Sequence, residues 1–157
     1  LRELEAGRLD FVLVEGFFDH SRYEAQLCRR EEFFGVCAPH HRLAGRAVPL
    51  DELAGERLIL RESGSGTRAI FEEALHRQNW TLHSFPNVVT ISDFSTIKSL
   101  TADGLGVSFL YAPVVAQELK DGTLARFDLA EVPMSGAFYF VCLKDNLFAK
   151  AWLDWMQ

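Results

Sequence analysis

The chain has 157 residues, of which 48% are hydrophobic and 24% charged, and its formal net charge is −6. This is a globular composition, enough for one ordinary domain or two small lobes, and not a disordered one. The acidic balance argues against phosphate-backbone binding by this stretch, and no apolar run approaches the ~20 residues of a membrane span.

Leu1 and Leu4 share a helical face, and Gly7 suits the left-handed position that ends a helix. The chain therefore opens inside a helix and shows no signal peptide, as expected of a fragment that starts within a fold. Leu9-Asp-Phe-Val-Leu-Val14 is a near-continuous apolar run, the pattern of a strand buried on both faces of a parallel sheet. It stops at Glu15. A charge at the C-terminal end of a parallel strand sits where open α/β folds bind ligands; a solvated loop carboxylate is the plainer alternative. Residues 17–23 read as a loop, residues 33–38 as a second apolar strand, residues 39–49 as a polar connection, and residues 50–54 as a helical turn ended by Gly55.

Residues 58–71 read LILRESGSGTRAIF: a short buried strand, a glycine-rich turn, then a helix. The first N–H groups of a helix have no intrahelical acceptor, and the macrodipole adds about half a positive charge there. Gly64 and Gly66 allow close backbone approach, while Ser63, Ser65 and Thr67 can each donate to a ligand or simply cap the helix. The turn has neither the Walker A spacing nor that of a nucleophile elbow. Ile70, Phe71, Ala74 and Leu75 share one face of this helix, which stops near Asn79.

A strand over 85–91 and a second helix follow, with Ser92 as its expected N-cap and Asp93 favourable to the dipole. Gly104 ends that helix. Strands at 107–111 and 124–129 flank a helix begun by Pro113 and closed by Gly122. A strand over 137–143 and a helix over 148–155, with an aromatic stripe on its buried side, complete an α/β pattern. If the strands before the two serine-started helices are parallel neighbours, both helix N-termini emerge at one sheet edge, an arrangement suited to a carboxylate, sulfate or phosphate.

Cys28, Cys37 and Cys142 are widely spaced, which fits reduced, buried thiols rather than a disulfide or metal site. The five histidines form no ligand pattern and read as surface or supporting residues. Glu15 and Glu62 could form a carboxylate pair, but both have plainer roles, and no triad, dyad or metal set is visible. The chain is expected not to be an enzyme and to need no metal or cofactor.

The order of short motifs resembles the effector-binding (substrate-binding) domain of LysR-type transcriptional regulators over nearly the whole chain. The segments that carry the likeness are Gly7-Arg-Leu-Asp10-Phe-Val-Leu-Val and Val36-Cys-Ala-Pro39-His-His-Arg-Leu-Ala44, where Arg42 replaces the usual Pro. Glu62-Ser-Gly-Ser-Gly-Thr-Arg68, Ile97-Lys98 with Gly104-Leu-Gly106-Val-Ser-Phe-Leu110, and Glu118-Leu-Lys-Asp-Gly122-Thr-Leu124 complete it. The combination of Val14-Glu15-Gly16 with Glu62-Ser-Gly-Ser-Gly-Thr-Arg68 is most similar to the subgroup that includes regulators of sulfur assimilation and of carbon fixation.

The resemblance implies a two-lobe type II periplasmic-binding-protein-like fold, truncated in lobe I. Residues 1–33 would form part of lobe I, 34–137 the inserted lobe II, and 138–157 the return segment of lobe I. A small polar or anionic effector would occupy the cleft, bounded by Glu15, by Ser63, Gly64, Ser65, Gly66 and Thr67, and by Ser92 and Asp93. The resemblance further implies a cytoplasmic homo-oligomer formed through lobe I, with no membrane partner. DNA would be bound only through an N-terminal winged helix-turn-helix that this stretch lacks. A transporter's solute-binding protein shares the fold and is the alternative reading.

Overall fold

The structure is a computed structural model that describes residues 1–15, 18–19, 21–130, 132–144 and 146. In chain order its elements are α1 (Arg2–Glu5), β1 (Val12–Glu15), β2 (Tyr23–Cys37), β3 (Ala47–Val48), α2 (Leu50–Leu53), β4 (Leu58–Leu60) and α3 (Gly66–Arg77). After a 3-10 turn at Leu82–Ser84 come β5 (Val88–Thr90), α4 (Phe94–Ala102), β6 (Ser108–Tyr111), α5 (Ala112–Asp121), β7 (Ala125–Leu129) and β8 (Met134–Leu143). The chain divides into two compact units, one made of Leu1–Arg30 with Ala137–Gln157, the other of Glu31–Gly136. The helix expected over 148–155 lies outside the described residues.

In the first unit α1 ends at Gly7, whose φ of +67° is the left-handed geometry its position required. β1 pairs antiparallel with β8, Val12 opposite Val141 and Glu15 opposite Phe138. The expectation of a parallel strand buried on both faces is therefore corrected. Successive strand residues point to opposite faces, and only one face of this strand is covered. Val12 and Val14 pack with Leu4, Tyr23 and Val141, whereas Leu9, Phe11 and Leu13 are 48%, 37% and 57% exposed. Tyr23 donates to Glu5 at 2.6 Å and Arg22 pairs with the same carboxylate, anchoring α1 on β2.

β2 runs well upstream of the strand read at 33–38, because its run of exposed charges, Arg29 to Glu32, hides the alternation that marks a half-buried strand. In the second unit its last residues pair antiparallel with β6 and with β7, and β3 pairs parallel with β7. β4 and β5 pair parallel, and β4 is joined to the chain entering β6 by Ile59 N–H donating to the Val107 carbonyl at 2.8 Å.

Helices cover both faces of this mixed sheet. On β6, Phe109 points to α3 and the adjacent Leu110 to α4 and α5, as strand alternation dictates. Phe71 of α3 is fully buried and stacks on Phe109 with ring centroids 4.1 Å apart. Phe85 adds a second ring against Phe71, and Phe127 meets Phe109 edge-on at 5.5 Å. Gly35, directly opposite Phe127 across β2 and β7, leaves room for that ring; a Cβ there would collide with it. On the other face Phe34, Val36, Ile59, Ile97, Leu110 and Val115 close a second cluster.

Cys37 is fully buried, and burial, reinforced by Glu56, pushes its thiol up to about 11; burial also raises Cys142. All three thiols are free, but the expectation that all are buried is corrected for Cys28, which lies exposed on β2. A thiol reagent at neutral pH is expected to label Cys28 rapidly and the other two only after denaturation; equal rates at all three would contradict this burial pattern. Truncating the ring in Phe71→Ala is expected to lower the unfolding free energy in urea by about 3–5 kcal/mol. Gly35→Ala should lower it by about 1–3 kcal/mol through overpacking against Phe127. Near-wild-type stability for both would show that the aromatic stack does not hold α3.

Candidate functional site

Two consecutive strand-helix units build the site within residues 31–136. β4 and β5 are parallel neighbours, with Leu60 opposite Thr90, and Ile91 N–H donates to the Leu60 carbonyl at 2.9 Å just past their ends. The chain leaves each strand through a short turn into a helix, so the starts of α3 and α4 emerge side by side at the C-terminal edge of the pair.

At α3 the turn closes through Ser65 N–H donating to the Glu62 carbonyl at 3.2 Å. Gly64 takes φ +88°, a conformation that side-chain-bearing residues avoid. Among the three candidate caps the structure selects Ser65, whose Oγ accepts from Arg68 N–H at 3.2 Å. Ser63 and Gly64 are exposed, Ser65 and Gly66 half-buried, and Thr67 is buried.

At α4 the expected cap is corrected. Asp93, not Ser92, is the N-cap: its Oδ2 accepts from Thr96 N–H and from Thr96 Oγ1, each at 2.7 Å. The helix therefore starts at Phe94, one residue later than a Ser92 cap requires, and both Ser92 and Asp93 are exposed. The Thr96 hydroxyl and backbone bonds hold the Asp93 carboxyl below its ordinary value. The two helix starts are thus electrostatically unequal. That of α4 already carries its own carboxylate, whereas that of α3 is capped by a neutral hydroxyl with no acidic residue in its first turn.

Two arginines border the α3 start. Arg61, the first residue past β4, binds Glu62 through two N–H···O bonds at 2.8 and 2.9 Å and lies over the Phe94 ring, 4.2 Å from its centroid. Arg68 pairs with Glu72 at 2.7 Å along α3. The Arg61 guanidinium holds the Glu62 carboxyl below the usual carboxylate range. Glu62 is therefore the partner of Arg61. Glu15, its suggested carboxylate partner, ends β1 opposite Phe138 in the other unit. Arg61 and Phe94 were not singled out from the sequence as site residues. An arginine directly after an apolar strand run is the signal that could have found the first; the contact between the two exists only in three dimensions. Among the described residues no group of three or more His, Cys, Asp or Glu side chains is placed to hold a metal ion.

Ser65→Ala removes the α3 cap and is expected to cost about 1 kcal/mol in chemical denaturation. Asp93 titrates the opposite helix start. Folding favours its carboxylate form, so its contribution is present above the ordinary Asp range and is lost as pH falls through the lowered native value. Exchange protection of the Thr96 amide should fall in step with Asp93 protonation, below the ordinary Asp range; protection independent of that titration would rule out the cap.

A family model described as the LysR substrate binding domain matches residues 1–157. The transcriptional activator CmpR of Synechocystis is 32% identical over 121 residues, covering 74% of this chain and 38% of its own length. Across the curated relatives it matches, the chain spans 34% to 45% of their length. Among solved structures, the regulatory domain of CcmR from Synechocystis PCC6803, in complex with 2-PG, aligns with a TM-score of 0.78 at 23% identity, covering 99% of this chain and 75% of that one. The effector binding domain of QuiR, in complex with shikimate, aligns with a TM-score of 0.76 at 18% identity, covering 99% and 73%. These likenesses give an α/β fold of the type II periplasmic-binding-protein kind. The family match across every residue identifies a regulatory module, not a catalytic one: this chain belongs to the LysR substrate-binding domains.

Proposed function

We propose that this domain senses a small polar or anionic metabolite for a LysR-type DNA-binding regulator. The observation that carries the reading is the pair of helix starts at the C-terminal ends of two parallel strands, with Arg61 packed on the first residue of α4. N–H groups of the first turn of α3, the Ser65 hydroxyl and an arginine fork are donors suited to an acid group. The likeness to domains solved with 2-PG and with shikimate supports a small metabolite as the ligand class.

In this reading the family's two lobes are residues 1–33 with 138–157 and residues 34–137, close to the bounds of the two compact units. Ser63, Gly64, Ser65, Gly66, Thr67, Ser92 and Asp93 of lobe II are the proposed effector residues, with Glu15 as the contribution of lobe I. Glu15 would receive a hydroxyl or amine, so a hydroxy-acid or zwitterion satisfies both walls. Lobe I would lack its first strand and helix here, and a winged helix-turn-helix would precede it in the whole protein. The share of the curated relatives' length that the chain spans, and their description as HTH-type regulators, support this. Exposed Leu9, Phe11 and Leu13 support self-association through lobe I. A DNA target makes the compartment cytoplasmic. The effector acts by binding one lobe arrangement more tightly than another, which shifts the population that engages DNA.

A thermal-shift screen of the whole regulator against hydroxy-acids, amino acids, sulfate and phosphate esters tests the reading. A ligand at about 100 times its Kd should add about 2.7 kcal/mol of stability. Glu15→Gln and Ser92→Ala should each weaken that ligand severalfold. Unchanged affinity in both variants would place the pocket elsewhere.

A further inference from the structure

Arg61 and Glu62 form a fork-to-carboxylate pair between adjacent residues, Nε to Oε2 at 2.8 Å and Nη2 to Oε1 at 2.9 Å. A pair closed over one peptide bond ties no two elements together, so tertiary stability gives it little reason to exist. The second contact of Arg61 is different in kind. Its guanidinium lies over Phe94 and so joins the end of β4 to the start of α4. The Arg61 side chain is 16% exposed, that of Glu62 42%. The planar fork is thus fixed by the ring on its face and met at its edge by the more exposed carboxylate. Arg68 is not equivalent, because its Nε holds Glu72 along α3 and its Nη1 reaches back to the Arg61 carbonyl.

Resting on the reading of this site as an effector site, we propose that Arg61 is its specificity-determining residue and that a bound oxyanion displaces Glu62 from it. A carboxylate, sulfate or phosphate monoester offers two oxygens at the spacing of the Glu62 carboxylate and accepts the same two N–H groups. Glu62 is then an internal competitor. It keeps the fork aligned, and it lowers the affinity of every anion by the free energy of the pair that must be broken. A spherical anion meets the two N–H groups with one centre and bent hydrogen bonds, whereas an oxyanion sets one oxygen in line with each, so the exchange favours oxyanions over halides of equal charge.

Isothermal titration of the full-length protein with inorganic sulfate, phosphate and chloride, at constant ionic strength, tests this. Glu62→Gln is expected to tighten sulfate and phosphate about fivefold to tenfold, with a smaller change for chloride. Arg61→Lys keeps the charge but loses the fork, and should weaken the oxyanions about tenfold and abolish their preference over chloride. The Glu62 side chain is partly exposed and joins no two elements, so its replacement reads out even if Arg61 variants lose the Phe94 contact and unfold. Unchanged or weaker oxyanion binding in Glu62→Gln, or wild-type selectivity in Arg61→Lys, overturns the proposal. Ser65→Ala separates the two readings. If it weakens binding while the Arg61 and Glu62 variants match wild type, only the role of Arg61 fails. If wild type binds neither oxyanion, the exchange at Arg61 fails, while the effector-site reading is decided separately by the metabolite screen.

Discussion

The stacking of Phe71 on Phe109 is the contact on which the arrangement of the site depends. It presses α3 onto one face of β6 while Leu110, the next residue, serves α4 and α5 on the other. Phe127 extends the stack to Gly35, so the helix is registered against β2 and β7 as well as β6. A helix held this firmly along its body has little freedom at its first turn. The position of the 63–67 turn is therefore set by aromatic packing remote from it, not by the polar residues of the turn itself.

Charge around the two helix starts is balanced locally. Asp93 occupies the start of α4, Glu62 holds Arg61, and Glu72 holds Arg68. Such pairs contribute little to folding, since they are partly exposed and close short stretches of chain. What they do is define which donors face outward and what sign of charge meets an incoming group. The α3 start, capped by a neutral serine, keeps the positive end of its helix dipole uncompensated by a carboxylate of its own first turn.

The two compact units are joined by continuous strands. β2 and β8 each pass from one compact unit to the other, β2 at Arg30 and β8 at Ala137.

Local features were legible in the sequence because their causes are local. The strand-turn-helix at residues 58–71, the glycines that end α1 and follow α5 and the run preceding Gly104, and the Pro113 helix start all follow from backbone preferences of neighbouring residues. The parallel pairing that brings two helix starts together could be framed from the sequence only as a condition, which β4 and β5 meet. Other features required the fold. The solvent-facing side of β1 was unreadable, because an apolar run looks the same whether one face or both are covered. Charges at Arg29 to Glu32 concealed the first two thirds of β2, and the choice of Asp93 over Ser92 as cap depended on where α4 begins by one residue. The sequence by itself determined the family, the α/β class and the polar turn at the strand end, since these reside in residue type and spacing. Only the tertiary structure decided that the Arg61 fork meets Phe94 and that the two helix starts differ in charge, because both depend on side chains brought together across the sheet edge.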